Sequence, residues 1–134
     1  MKGYLLDTHA AIWFFNGSSE LSSAAGRIIR DLSNPVYLSI ASVWELAIKI
    51  SAGKLDFAGD EAAFKKARGF VRLAEANQIA VLPIETAHLD ALEGLPWIHR
   101  DPFDRLLIAA ARAENMTLVS ADRNIARYDV SHIW

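Results

Sequence analysis

Four acids carry the chemistry this sequence could perform: Asp7, Glu45, Asp104 and Asp122. Each is embedded in apolar sequence or directly follows it, as in Tyr4-Leu5-Leu6-Asp7, Val43-Trp44-Glu45-Leu46 and Leu118-Val119-Ser120-Ala121-Asp122. Carboxylates gathered in one pocket repel: a pair about 4 Å apart costs roughly 4 kcal/mol at an effective dielectric of 20. Such a pocket takes up protons or binds a divalent cation. The chain has no cysteine and no histidine pair at i+3 or i+4. Oxygen-only ligands favour a hard ion, Mg²⁺ or Mn²⁺. An ion of that kind, held by few carboxylates and several waters, suits phosphodiester hydrolysis.

Taken singly, each acid also has an ordinary role. Asp7 ends a strand and can make a turn. Glu45 can pair with Lys49 at i+4. Asp104 can partner Asp101 in a turn like a capping box, and Asp122 can cap the turn at Arg123. Asp101 is read first as an N-cap and only second as an accessory ligand. The combination of acids, more than any one of them, points to a metal-dependent nuclease.

The elements that must position these acids can be read from the chain. His99–Arg112 opens a helix: Asp101 is the N-cap, Pro102 takes the first helical position, and Asp104 the third. Leu107, Ile108 and Ala111 share a face with Asp104, so that face should be buried. Strands are expected at 4–6, 36–38, 79–82 and 117–119, with a marginal fifth at 128–130. Helices are expected at 10–15 (capped by Thr8), 21–32 (opened by Ser18 or Ser19), 40–52 (capped by Ser39), 61 to about 76 (capped by Asp60), 86–92 and 102 to about 114. Apolar strands alternating with helices argue for one α/β domain over residues 1–134, a mainly parallel four- to five-stranded sheet flanked by helices. Sites in such sheets lie beyond the C-terminal strand ends, where Asp7 and Asp122 fall.

Composition bounds the rest. The 134 residues fit one domain, and 52% apolar content fills its core. The net charge of −2 offers no global basic field, so any nucleic acid must be held by local patches. Arg100, Arg105 and Arg123 flank the acids and are the candidate phosphate contacts. The Lys65–Arg72 group reads as a solvated helix face. His9 and His99 lie near the proposed site and are read as structural. Trp13, Phe14 and Phe15 form a cluster that packs the core or receives a partner helix. The absence of cysteine suits the cytoplasm, no signal peptide is evident, and no stretch approaches the ~20 apolar residues of a membrane span.

The segments Leu5-Leu6-Asp7-Thr8-His9, Val43-Trp44-Glu45-Leu46-Ala47, His99-Arg100-Asp101-Pro102-Phe103-Asp104-Arg105-Leu106-Leu107-Ile108-Ala109 and Leu118-Val119-Ser120-Ala121-Asp122 resemble, in order, those of PIN-domain proteins, specifically VapC-type toxins. The resemblance implies metal ligands at Asp7, Glu45, Asp104 and Asp122, with Asp101 as accessory. It implies a Mg²⁺- or Mn²⁺-dependent ribonuclease leaving a 5′-phosphate and a 3′-hydroxyl, a homodimer and a cognate antitoxin. Thr8 and Ser120 would support the ligands or their waters. Two other readings stay open: another Mg²⁺-dependent phosphoryl hydrolase, and a non-catalytic protein-binding α/β module. His9 stands where a haloacid-dehalogenase-like phosphatase would need a second Asp, and no P-loop is present.

Overall fold

The computed structural model describes residues 3–54 and 65–134. Five parallel strands form one sheet: β1 (Tyr4–Leu6), β2 (Val36–Ser39), β3 (Ala80–Leu82), β4 (Thr117–Val119) and β5 (His132–Ile133). Their order is β3-β2-β1-β4-β5, with Tyr4 beside both Val36 and Thr117. Six helices flank the sheet among the described residues: α1 (Thr8–Phe15), α2 (Ser23–Arg30), α3 (Ile40–Ser51), α4 (Ala67–Ala76), α5 (Thr86–Glu93) and α6 (Pro102–Glu114).

Strand alternation sends neighbouring residues to opposite faces. Leu5 and Leu118 pack with Leu107, Ile108 and Ala111 of α6. Leu6, Leu38 and Val119 pack on the other face with Ala10 and Ala11 of α1, Ala25 and Ile29 of α2, and Ala74 of α4. The chain therefore reverses its direction of winding at β1, which has β2 on one side and β4 on the other. In an open parallel sheet that reversal leaves a crevice at the C-terminal strand ends. Asp7 and Asp122 follow those two ends.

Several boundaries differ from the sequence reading for local reasons. Asp7, not Thr8, caps α1: its carboxylate accepts from the Ala10 N–H at 2.7 Å. Ser22, rather than Ser18 or Ser19, caps α2. The fifth strand is His132–Ile133 instead of 128–130, because Tyr128 turns inward and is 4% exposed. The expected Asp60 cap and first turn of the fourth helix lie outside the described residues. By contrast, Ser39 caps α3 and Asp101 caps α6 as read, and Asn115 ends α6 in the left-handed region at φ 60°.

Candidate active site

The site is built where three chain segments end. β1 delivers Asp7, whose N–H is held by the Val119 carbonyl at 3.1 Å. One carboxylate oxygen caps α1, and the Ser120 hydroxyl donates to the same carboxylate. Ser120 in turn accepts from the Asp122 N–H at 3.0 Å, and Asp122 accepts from the Asn124 N–H at 2.8 Å. A run of short-range bonds thus fixes Asp122 beside Asp7. The two acids line one pocket of about 250 Å³ together with His9, Trp13 and Ala121. Burial pushes the Asp7 carboxyl above its usual range; the Ser120 and Ala10 bonds oppose this, and the charge of Asp122 adds to it.

Asp104 arrives on α6. Capping is done by Asp101, which accepts from the N–H groups of Phe103 at 2.9 Å and Asp104 at 3.0 Å. The Asp104 side chain is therefore free of capping duty and faces His99, with Oδ2 3.3 Å from Nε2. Burial pushes the Asp104 carboxyl up to about 7; Asp101 and Asp122 push the same way, and His99 opposes them. The charge of Asp122 thus reaches both Asp7 and Asp104, and links the two helix starts.

His99 has a fixed orientation that the sequence did not reveal. The Tyr128 oxygen accepts from Arg105 Nη1 at 3.0 Å and from the His99 N–H at 3.2 Å. With both lone pairs used, the Tyr128 O–H donates to His99 Nδ1 at 2.8 Å. Nε2 is left as the donor towards Asp104. Arg105, expected at a phosphate, is instead 4% exposed and committed: Nη1 also donates to the Pro96 carbonyl at 2.7 Å, and the guanidinium lies 4.0 Å over the Trp97 ring. It is a structural tie, not a phosphate contact. Local spacing gave no sign of this, because Tyr128 is 23 residues away.

Glu45 is placed between these segments without joining them. On α3, Ser42 accepts from Thr8 Oγ1 at 3.0 Å, and the Trp44 ring meets Phe103 at 4.9 Å. Glu45 thus lies on a helix tied to the neighbours of both Asp7 and Asp104, yet its carboxylate pairs with Lys49 at 3.1 Å. The expectation that all four acids meet in one pocket is corrected: only Asp7 and Asp122 line it together, Asp104 faces His99 beside it, and Glu45 is held by Lys49. Thr8 serves the α1–α3 contact, whereas Ser120 does touch a candidate ligand. Arg100 and Arg123 are exposed near the acids.

Among the described residues, no three acids or histidines stand close enough to hold an ion together. The donor set nonetheless fits a hard divalent cation. Asp7 is buried and Asp104 half-buried, and both are oxygen-only and lifted in pKa, the state a cation relieves. Mg²⁺ commonly needs only one or two carboxylates and keeps several waters.

The PIN domain family matches residues 4–131. The chain is a PIN domain. No curated protein matches it. Among solved structures, this PIN domain is similar to VapBC2 from Rickettsia felis bound to a DNA fragment from their promoter, at a TM-score of 0.72 and 15% identity, covering 100% of this chain and 99% of that one. It is similar also to DNA-bound VapBC from Salmonella typhimurium, at a TM-score of 0.66 and 16% identity over 100% and 98% of the two chains. A third, FitAcB from Neisseria gonorrhoeae, has a TM-score of 0.61 and 20% identity over 98% and 96%. At these identities the likeness is one of fold. No helix among the described residues is long and apolar enough to cross a membrane.

Proposed function

We propose that this PIN domain is a Mg²⁺- or Mn²⁺-dependent endoribonuclease, the toxin of a toxin–antitoxin pair. The observation that carries the reading is the pair Asp7 and Asp122 lining one pocket beyond the switch point of the sheet, with the charge of Asp122 reaching Asp104 on α6 as well. Membership of the PIN family and likeness in fold to VapBC structures support it.

In this reading Asp7 and Asp104 would hold the cation, with Asp122 and Glu45 completing the ligand shell or orienting water and Asp101 as accessory. The ion supplies charge neutralisation at the phosphate and a more acidic water. Ser120 keeps Asp7 oriented, and the His99–Tyr128–Arg105 network keeps Asp104 oriented. Glu45 would have to give up its bond to Lys49 to join them. Water would attack phosphorus in line, with the carboxylates orienting it or taking its proton; the new P–O bond replaces the P–O3′ bond and O3′ takes up a proton from solvent, leaving a 5′-phosphate and a 3′-hydroxyl. Arg100 and Arg123 contact phosphates.

A homodimer and an antitoxin belong to the same reading. Ile40, Trp44 and Ile48 form an exposed apolar row along α3 of the kind partners cover. An RNA substrate and an antitoxin place the protein in the cytoplasm. The test is cleavage of single-stranded RNA with Mg²⁺, with EDTA, and with Asp7→Asn. Cleavage should need the ion and fail in the variant. Cleavage that persists in EDTA removes the mechanism, and no cleavage by wild type with either ion removes the function.

A further inference from the structure

The pocket that holds Asp7 and Asp122 has a second kind of wall. His9 and Trp13 line it from α1, and Ala121 lies opposite on the β4 side. The His9 and Trp13 rings stand 5.6 Å apart at 39°, and Trp13 meets Trp134 edge-on at 5.7 Å and 60°. The Trp13 ring is thus braced from two sides, while His9 is exposed. Trp13 also packs on the Ile12, Leu46 and Phe70 cluster, so its ring is held in place at the edge of a pocket that carries two acids.

We propose that His9 and Trp13 form a nucleobase-stacking subsite for the nucleotide next to the scissile phosphate. This rests on the ribonuclease reading above. The occupant follows from the two ends of the pocket. The acids serve a phosphate through a divalent ion, and the rings serve a flat π face; a nucleotide carries both within one residue. No lysine or arginine lines the pocket, so a bare phosphate finds no partner on the aromatic side. Stacking is tolerant of sequence because every base has such a face, and it is worth about 5- to 150-fold in binding per base. Trp13 and His9 are therefore positioning residues: they set where the chain of the RNA lies, while the acids do the chemistry.

The experiment uses a short single-stranded oligoribonucleotide that wild type cleaves, and a set of copies each abasic at one position. One abasic position should raise KM for wild type by about 5-fold or more with little change in kcat. Trp13→Leu should raise KM for the intact oligonucleotide similarly, should no longer respond to that abasic position, and should be largely rescued by Trp13→Phe. His9→Ala, at an exposed position, gives the same loss of response in milder form and serves if Trp13→Leu fails to fold. A general packing defect would not erase the response to one missing base. If wild type cleaves yet no abasic position matters, or the variants respond as wild type does, the subsite does not exist, even if Trp13→Leu loses a protein partner. If wild type cleaves no RNA, the ribonuclease reading falls first.

Discussion

Two helix starts in this molecule each present an acid, and they solve the capping problem differently. At α1 one residue does both jobs: Asp7 caps the helix and faces the pocket. At α6 the jobs are split: Asp101 caps, and Asp104, three residues on, is turned towards His99. Both carboxyls are lifted, chiefly by burial. Asp104 is lifted further by its own capping neighbour, so division of labour frees the second acid at an electrostatic cost. Both arrangements leave carboxylates that lose stability without a proton or a cation.

The largest effect separates chemistry from capping. Asp7→Asn and Asp104→Asn should each lower RNA cleavage by about 100-fold or more, since even residues behind a metal ligand cost 10- to 100-fold when lost. Asparagine caps as well as aspartate, so circular dichroism of Asp7→Asn should match wild type. Cleavage within a few-fold of wild type in either variant would remove that acid from the site.

A middle-sized effect lies in pH. Asp104 moves from an ordinary 3.8 to about 7 in the folded protein. Between those values the folded state holds a proton that the unfolded state has released, so stability falls as pH rises through the window. Asp7 is shifted in the same direction. The metal-free protein should melt a few degrees lower at pH 8 than at pH 5 on this account. Asp104→Asn should flatten that slope, and Mn²⁺ should restore wild-type stability at pH 8. A slope unchanged in Asp104→Asn would contradict the assignment.

The smallest effect is the capping contribution of each acid. Asp7→Ala should be about 1 kcal/mol less stable than Asp7→Asn, because alanine cannot cap. Asp104→Ala and Asp104→Asn should melt much more alike, since no cap is lost, and Asp101→Ala should show the cap penalty instead. Equal penalties at residues 7 and 104 in denaturant titrations would mean that Asp104 also supports its helix end.

Much of this was legible in the chain, and the limits have a physical pattern. The strands at 4–6 and 117–119 and the helix from Pro102 are set by short-range signals: an apolar run, a cap, a proline at the first position. The places of Asp7 and Asp122 after apolar strands, and of Asp104 in a first helical turn marked by a cap and a proline, were legible from the same short-range signals. The Asp7 cap was misassigned to Thr8 because two neighbouring oxygens compete for the same N–H groups, and spacing alone does not choose. Arg105 and Tyr128 were missed as a unit because their bond spans 23 residues. The fifth strand was misplaced for the same reason, since Tyr128 is claimed by His99 and Arg105. Glu45 shows both readings at once: the Lys49 pair, visible in the i,i+4 spacing, is formed, while the helix that carries it is anchored beside both lifted acids.

Calorimetric titration of the metal-free protein with Mn²⁺ at pH 6, in two buffers of different ionisation enthalpy, asks whether Asp7 and Asp104 hold a cation together. Binding should saturate and release protons, and both Asp7→Asn and Asp104→Asn should lose it. No binding to wild type, or equal binding to all three proteins, would mean that the two acids do not.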